Sequence, residues 1–245
     1  LIVPGLFCGV EFSMVLERLK SGAPRHILDD SSRKLAFILC LPLIDGVFAT
    51  LLVTGAVNTF SQMLNVAITI FTGAGALAVL YSEASDRKEA TQMVNRIIPV
   101  LLTGVILVAL VAPVFEQLFN TSLLKYAAGL AIGSIALQLA DIELAERLPP
   151  TAVIFTGLVL SYQGSVNLVL TLEYMLPALT TAIIAIIGLH LATGLKKYRM
   201  DLRYIRYGGS AVLAIVASSL FGLNVPQNIG PIVFMLSVIT SIRMS

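Results

Sequence analysis

Apolar residues in this chain come in long, nearly unbroken runs. They show neither the one-sided spacing of a soluble helix nor the alternation of a half-buried strand. Eight runs stand out, at 35–57, 63–82, 97–115, 123–140, 149–170, 175–195, 207–223 and 228–242. A helix that crosses a bilayer needs about 20 mostly apolar residues, with a range of roughly 17–25. The first six runs meet that length. The last two are shorter and meet at Asn224-Val225-Pro226-Gln227-Asn228. The expected fold is therefore an all-α integral membrane bundle of about eight transmembrane helices, or six plus a re-entrant hairpin. The breaker-rich stretch from Gly222 to Pro231 reads better as a tight turn than as a pore-lining loop. Residues 1–34 are expected to form an N-terminal interfacial or cytoplasmic segment, and 35–245 a single transmembrane helical domain. The run at 1–16 carries Pro4, Gly5 and Glu11 and is short for a span, so an interfacial helix is preferred there, with a crossing left open.

Composition supports the bilayer as solvent. Of 245 residues, 57% are hydrophobic and only 12% charged, with a mean hydropathy of +0.92. A soluble domain carries about 25% charged residues. Half that charge does not wet a soluble surface, which excludes a soluble enzyme, a secreted disulfide scaffold, a disordered chain and a nucleic-acid-binding domain. The two cysteines, Cys8 and Cys40, have no metal-type spacing. No metal and no cofactor is expected.

The basic residues give an independent test of topology. With eight spans and the N-terminus inside, 15 of the 16 Lys and Arg residues fall on the inner side, and Lys125 alone falls outside. A different count of spans before the last hairpin scrambles that partition, so both termini are expected on the cytoplasmic side. The cluster at 196–206 is read first as an orientation signal, and second as a place for anionic lipid head groups.

One charge resists this explanation. Between Lys34 and Glu83 lie 48 residues, and Asp45 is the only charged one among them. It falls near the middle of the first run, where a carboxylate costs at least about 2.5–3.5 kcal/mol. Pro42 lies one turn before it and Gly46 follows. Proline removes an intrahelical hydrogen bond, and a carboxylate beside freed carbonyls suits a cation or proton. The bland alternative is an Asp that glues helices together by hydrogen bonds. Candidate companions are Thr69, Thr72, Gly73 and Gly75 in the second run, and Thr156, Ser161, Gln163 and Asn167 in the fifth. Asp45, Pro42, Thr72 and Asn167 form the expected ion- or solute-binding set. His190, in the sixth run, is a candidate proton relay whose other reading is a packing residue. Asp141, Glu143 and Glu146 read as an acidic interfacial turn. In the fourth run Gly129-x-x-x-Gly133 favours close helix packing.

Two short echoes suggest an internal repeat. Leu41-Pro42 and Leu148-Pro149 open similar blocks 107 residues apart, with Ala152 at the place of Asp45. Lys125-Tyr126 and Arg206-Tyr207 open a second pair. The first relates spans in parallel and the second inverts them, so the symmetry stays open.

The run Leu41-Pro42-Leu43-Ile44-Asp45-Gly46-Val47-Phe48, followed by Thr54-Gly55-Ala56, resembles an uncharacterised family of archaeal multipass membrane proteins best represented in haloarchaea. The likeness extends through Leu148-Pro149 and Ala152-Val153-Ile154, and through the region 203–209. That family has no assigned activity, so the resemblance implies a multipass fold and no mechanism.

The functional expectation that follows is a membrane transporter or channel-like protein for a small ion or polar solute, working through a midplane carboxylate. An alternative is a non-catalytic structural or accessory subunit of a membrane complex. A third is a membrane-embedded enzyme acting on lipid, with Asp141, Glu143, Glu146 and His190 as its nearest candidates. The expected partners are the lipid bilayer, a small ion or solute, and either a homo-oligomer or a larger membrane complex, with no nucleic acid.

Overall fold

The computed structural model describes residues 29–142, 149–164, 172–196, 199–226 and 228–243, and the unit that runs from Ser31 to Ser245 is the one described below. Among the described residues ten helices make up most of the structure: α1 (Asp30–Ile44), α2 (Val47–Val53), α3 (Phe60–Val66), α4 (Ala74–Glu83), α5 (Arg87–Leu118), α6 (Thr121–Leu139), α7 (Pro150–Ser161), α8 (Met175–Leu195), α9 (Leu202–Leu220) and α10 (Ile229–Ser241). Helix α3 continues as a π-helical turn over Ala67–Phe71. A two-residue antiparallel pair, β1 (Arg199–Met200) with β2 (Ile242–Arg243), closes the last two helices.

Short polar signals set the helix ends. Thr59 and Gln62 form a reciprocal capping box at the start of α3. The side chains of Asp86, Asn120 and Asp201 accept backbone N–H bonds at the starts of α5, α6 and α9. Helices α2, α6 and α9 end alike, with a left-handed residue (Gly55, Asp141, Gly222) whose successor donates its N–H back to Leu51, Leu137 and Ser218 respectively.

Among the described residues three helices, α5, α6 and α8, are long and apolar enough to cross a membrane, and counting each bent pair as one span raises the number to five. The bent pairs are α1 with α2, at 44°, and α3 with α4, at 47°. These are the first and second expected runs, and each is broken rather than continuous. Helices α7 and α10 have 12 and 13 residues. At 1.5 Å per residue they reach about 18–20 Å, less than the roughly 30 Å of a hydrocarbon core. Helix α9 is 19 residues long, but its first turns carry Arg203 and Arg206.

Helix α6 packs on α7 and α9, and α9 packs on α10. Helix α5 packs on α8 and α2, and the π turn lies against α8. Every residue of α2 is buried, which puts this half-helix in the core. Small residues permit the close crossings. A Cβ on Gly129 would lie 3.1 Å from Phe221, and one on Gly133 would lie 3.9 Å from Ala217, so this glycine pair serves the α6–α9 contact. A Cβ on Gly157 would overlap Ala127, and one on Gly208 would overlap Ser237.

The Leu-Pro echo falls on unlike structures. Pro42 lies inside the last turn of α1, whereas Pro149 caps the start of α7. Helix α7 then runs unbroken past Ala152, the position that corresponds to Asp45.

Candidate functional site

The site is built around two helix breaks. At the first, Pro42 offers no N–H to the carbonyl of Ile38, and the chain leaves the helix after Ile44. Gly46 adopts φ 81°, a left-handed conformation that suits glycine, and α2 starts in a new direction. The Asp45 N–H still donates to Leu41 O at 3.0 Å. One carboxylate oxygen, Asp45 Oδ1, accepts the Val47 N–H at 3.1 Å and so caps α2. The second oxygen accepts no hydrogen bond from any described residue. A Cβ built on Gly46 would meet nothing within 4 Å, so there is room beside the break. Asp45 is half-buried, whereas its neighbour Ile44 is 74% exposed on the outside of the bundle.

The second break follows the π turn. The Thr72 N–H donates to Ala67 O at 2.9 Å, five residues back, and Gly73 then opens α4 in an extended conformation. Thr72 Oγ1 lies 3.1 Å from Ala67 O and 3.4 Å from Ala185 O of α8. It sits over Gly188, where a Cβ would approach it to 2.9 Å. A π turn displaces the normal hydrogen-bond register and recurs at functional sites.

The two breaks are neighbours. Phe48, on the first turn of α2, and Phe71, on the last residue of the π turn, are both fully buried. Their rings meet edge to face with centroids 5.1 Å apart. On the other side of the breaks, a Cβ on Gly75 of α4 would touch Ile38 of α1 at 3.4 Å. Depth follows from the continuous helices alongside. Leu43 lies against Gly104, near the middle of the apolar part of α5. Thr72 reaches Ala185, the middle residue of α8. Both breaks therefore lie about halfway along the long helices.

The expected site residues separate into two groups. Asp45, Pro42 and Thr72 all lie at the paired breaks. His190 lies on α8 five residues beyond Ala185, toward the C-terminal end of the helix, half-buried, and its carbonyl accepts the Thr193 hydroxyl at 2.8 Å. Asn167 lies outside the described residues. Thr156 and Ser161 bond back to their own helix, to Ala152 O and Leu158 O. Thr156 also lines an apolar groove of about 500 Å³ between α6 and α7, with Tyr126, Leu130 and Leu160. Sequence reasoning missed the contributions of Phe48, Phe71 and Gly188. Two aromatic residues in apolar runs, and one glycine in an apolar helix, carry no mark that distinguishes them from packing residues.

The ends of the bundle hold the other polar contacts. Lys34 pairs with Glu83 at 2.7 Å, and Lys196 Nζ donates to Tyr81 O at 2.7 Å. Arg206 pairs with Asp141. Glu143 and Glu146 lie outside the described residues. At the opposite end Tyr174 donates to Glu116 at 2.8 Å, and burial, reinforced by that bond, raises its phenol above the ordinary value.

Among known protein families, the model described as "Family of unknown function (DUF5794)" matches residues 101–221, just under half of the chain. The matched stretch begins within α5 and leaves Asp45 and both breaks outside it. No curated protein and no solved structure matches the chain.

Proposed function

We propose that this chain is a secondary transporter or channel-like protein for a small ion or polar solute, with the Asp45 carboxylate as its binding or coupling group. The observation that carries this reading is the meeting of two helix breaks, through Phe48 and Phe71, halfway along the bundle. Discontinuous helices expose backbone groups at mid-depth, where a bound ion replaces its hydration shell with protein oxygens. A half-helix capped by a carboxylate with one oxygen to spare suits a cation or proton better than an anion. Thr72 and Pro42 shape the same place, and His190 is the candidate for moving protons toward the inner end. Eight crossings with both ends inside fit this reading. The pairs Lys34–Glu83, Lys196–Tyr81 and Arg206–Asp141 each join chain ends that the charge rule assigns to the inner side.

The test is flux through purified protein in liposomes under imposed proton, sodium or potassium gradients. The native chain is expected to dissipate at least one gradient faster than protein-free vesicles, and Asp45→Asn to abolish that flux while eluting and unfolding as a native protein. Flux by Asp45→Asn equal to that of the native chain contradicts the proposal. A second reading, an accessory subunit, is favoured by the open apolar groove between α6 and α7. Cross-linking from Leu160 to another polypeptide in native membranes would support it.

A further inference from the structure

The hairpin of α9 and α10 stops short of the outer end of the bundle. That end is marked where α5, α6 and α7 meet: Asn120 N donates to Ser161 O, and Phe119 pairs with Tyr162. Helix α9 finishes against Gly129 of α6, where a Cβ would lie 3.1 Å from Phe221 and 3.3 Å from Leu220. From Thr121 to Gly129 is about 12 Å of helix at 1.5 Å per residue. Helix α10 starts against α3, since a Cβ on Gly230 would overlap the Asn65 amide. From Phe60 to Asn65 is about 8 Å. Both ends of the turn between α9 and α10 thus lie below the outer ends of the helices beside them.

The turn carries polar groups at that depth. Asn224 and Asn228 are exposed, and their side-chain amides bond to no described residue. Irregular backbone and unbonded amides are not tolerated against hydrocarbon, so they mark water. Helix α6 changes character at the same level. The face that α9 covers consists of Gly129, Gly133 and Ala136. Further out, the same face carries Lys125 and Ser122, at successive helical spacings of four and three. Ser122 is exposed, and Lys125 is half-buried and pairs with no acid among the described residues. A cation that far inside an apolar helix faces water. Tyr126, on that face too, stacks on Phe221 with centroids 6.2 Å apart. The face is small and apolar where a neighbour covers it, and polar above the turn where none does.

We propose that the α9–α10 turn is the floor of a water-filled vestibule, open to the outer side and walled by the first two turns of α6, which admits a small hydrophilic solute below the outer rim of the bundle. The vestibule leads toward the second helix break. Asn65, at its floor, precedes Thr72 on the same run by about two helical turns. It does not depend on an ion at Asp45, since water access is read without flux.

The experiment uses the full chain with Cys8 and Cys40 replaced, in sealed vesicles of native orientation, and follows labelling by a small impermeant thiol reagent added outside. Asn224→Cys and Asn228→Cys are expected to react, as is Ser122→Cys at the rim. Neither turn substitution removes a contact, because both side chains are exposed and unbonded. Leu130→Cys, exposed on the neighbouring face of α6 at the depth of the turn, should react about a hundredfold more slowly, because the thiolate does not form in hydrocarbon. The same reagent carried on a polymer too wide for the vestibule should label Ser122→Cys and spare both turn positions. Protection of either turn position from the small reagent overturns the proposal. So does labelling of Leu130→Cys as fast as the turn, which would mean that the bilayer thins around the hairpin. Equal labelling of rim and turn by the wide reagent contradicts it too, since the turn would then stand at the surface.

Discussion

At Asp45 one carboxylate oxygen caps α2, while the other accepts no hydrogen bond from a described residue. The two roles come apart under substitution. Asparagine keeps a side-chain oxygen for the Val47 N–H, so Asp45→Asn should unfold within about 0.5 kcal/mol of the native chain. Alanine removes the cap, and Asp45→Ala should cost about 1 kcal/mol. Thermal unfolding in one detergent compares the two, and equal losses would deny the cap. At Gly46 the strain is in the backbone alone, because φ is 81° and a Cβ meets nothing within 4 Å. Gly46→Ala should therefore cost about 1–2 kcal/mol without disturbing any neighbour. Asp45 was legible in the sequence because it is the lone charge in a long apolar stretch. Its capping role was not, because the same residue in an apolar helix reads equally as a buried glue or an ion ligand.

The elements show why one break was readable and the other was not. The first carries Pro42, Asp45 and Gly46, each a known breaker or turn former. The second lies in Ala67-Ile68-Thr69-Ile70-Phe71-Thr72-Gly73, where no proline marks it. A π turn is a change of hydrogen-bond register, and composition does not encode it. Tertiary fit does: Thr72 settles over Gly188 of α8, which has no side chain to exclude it. Gly188→Ala should therefore cost about 1–3 kcal/mol by overpacking. On the same helix a Cβ at Gly194 meets nothing within 4 Å. Gly194→Ala should raise stability by about 0.5–1 kcal/mol through helix propensity. Paired unfolding curves check the two signs, and stabilisation by both would mean that helix propensity and not the Thr72 contact governs α8. The glycine pair of α6 was readable as a packing face. Its partner, α9 of the same chain, was not, since such a pattern fits a dimer as well.

For the molecule as a whole, hydrophobic run length announced apolar helices, three to five of them long enough to cross a membrane among the described residues, but overstated their continuity. Run 149–170 contains a helix that ends at Ser161, where Asn120 N donates to Ser161 O and Gln163 N donates to Leu118 O. Hydropathy counts apolar residues and does not see the backbone bonds that stop a helix. The charge pattern adds what hydropathy lacks. In sealed vesicles that carry the native orientation, Lys88→Cys should react with an impermeant thiol reagent from the inner side only, and Lys125→Cys from the outer side only, once Cys8 and Cys40 are replaced. Reaction of both from one side would refute the alternation. The central claim is that the paired breaks open a polar place in mid-membrane at Asp45. Its most direct measurement is the reactivity of Asp45→Cys with that reagent in reconstituted vesicles, beside Ile44→Cys on the exposed outside of the bundle. Modification of position 45 with protection of position 44 is the expected result, and equal protection of both from either side of the membrane would contradict the claim.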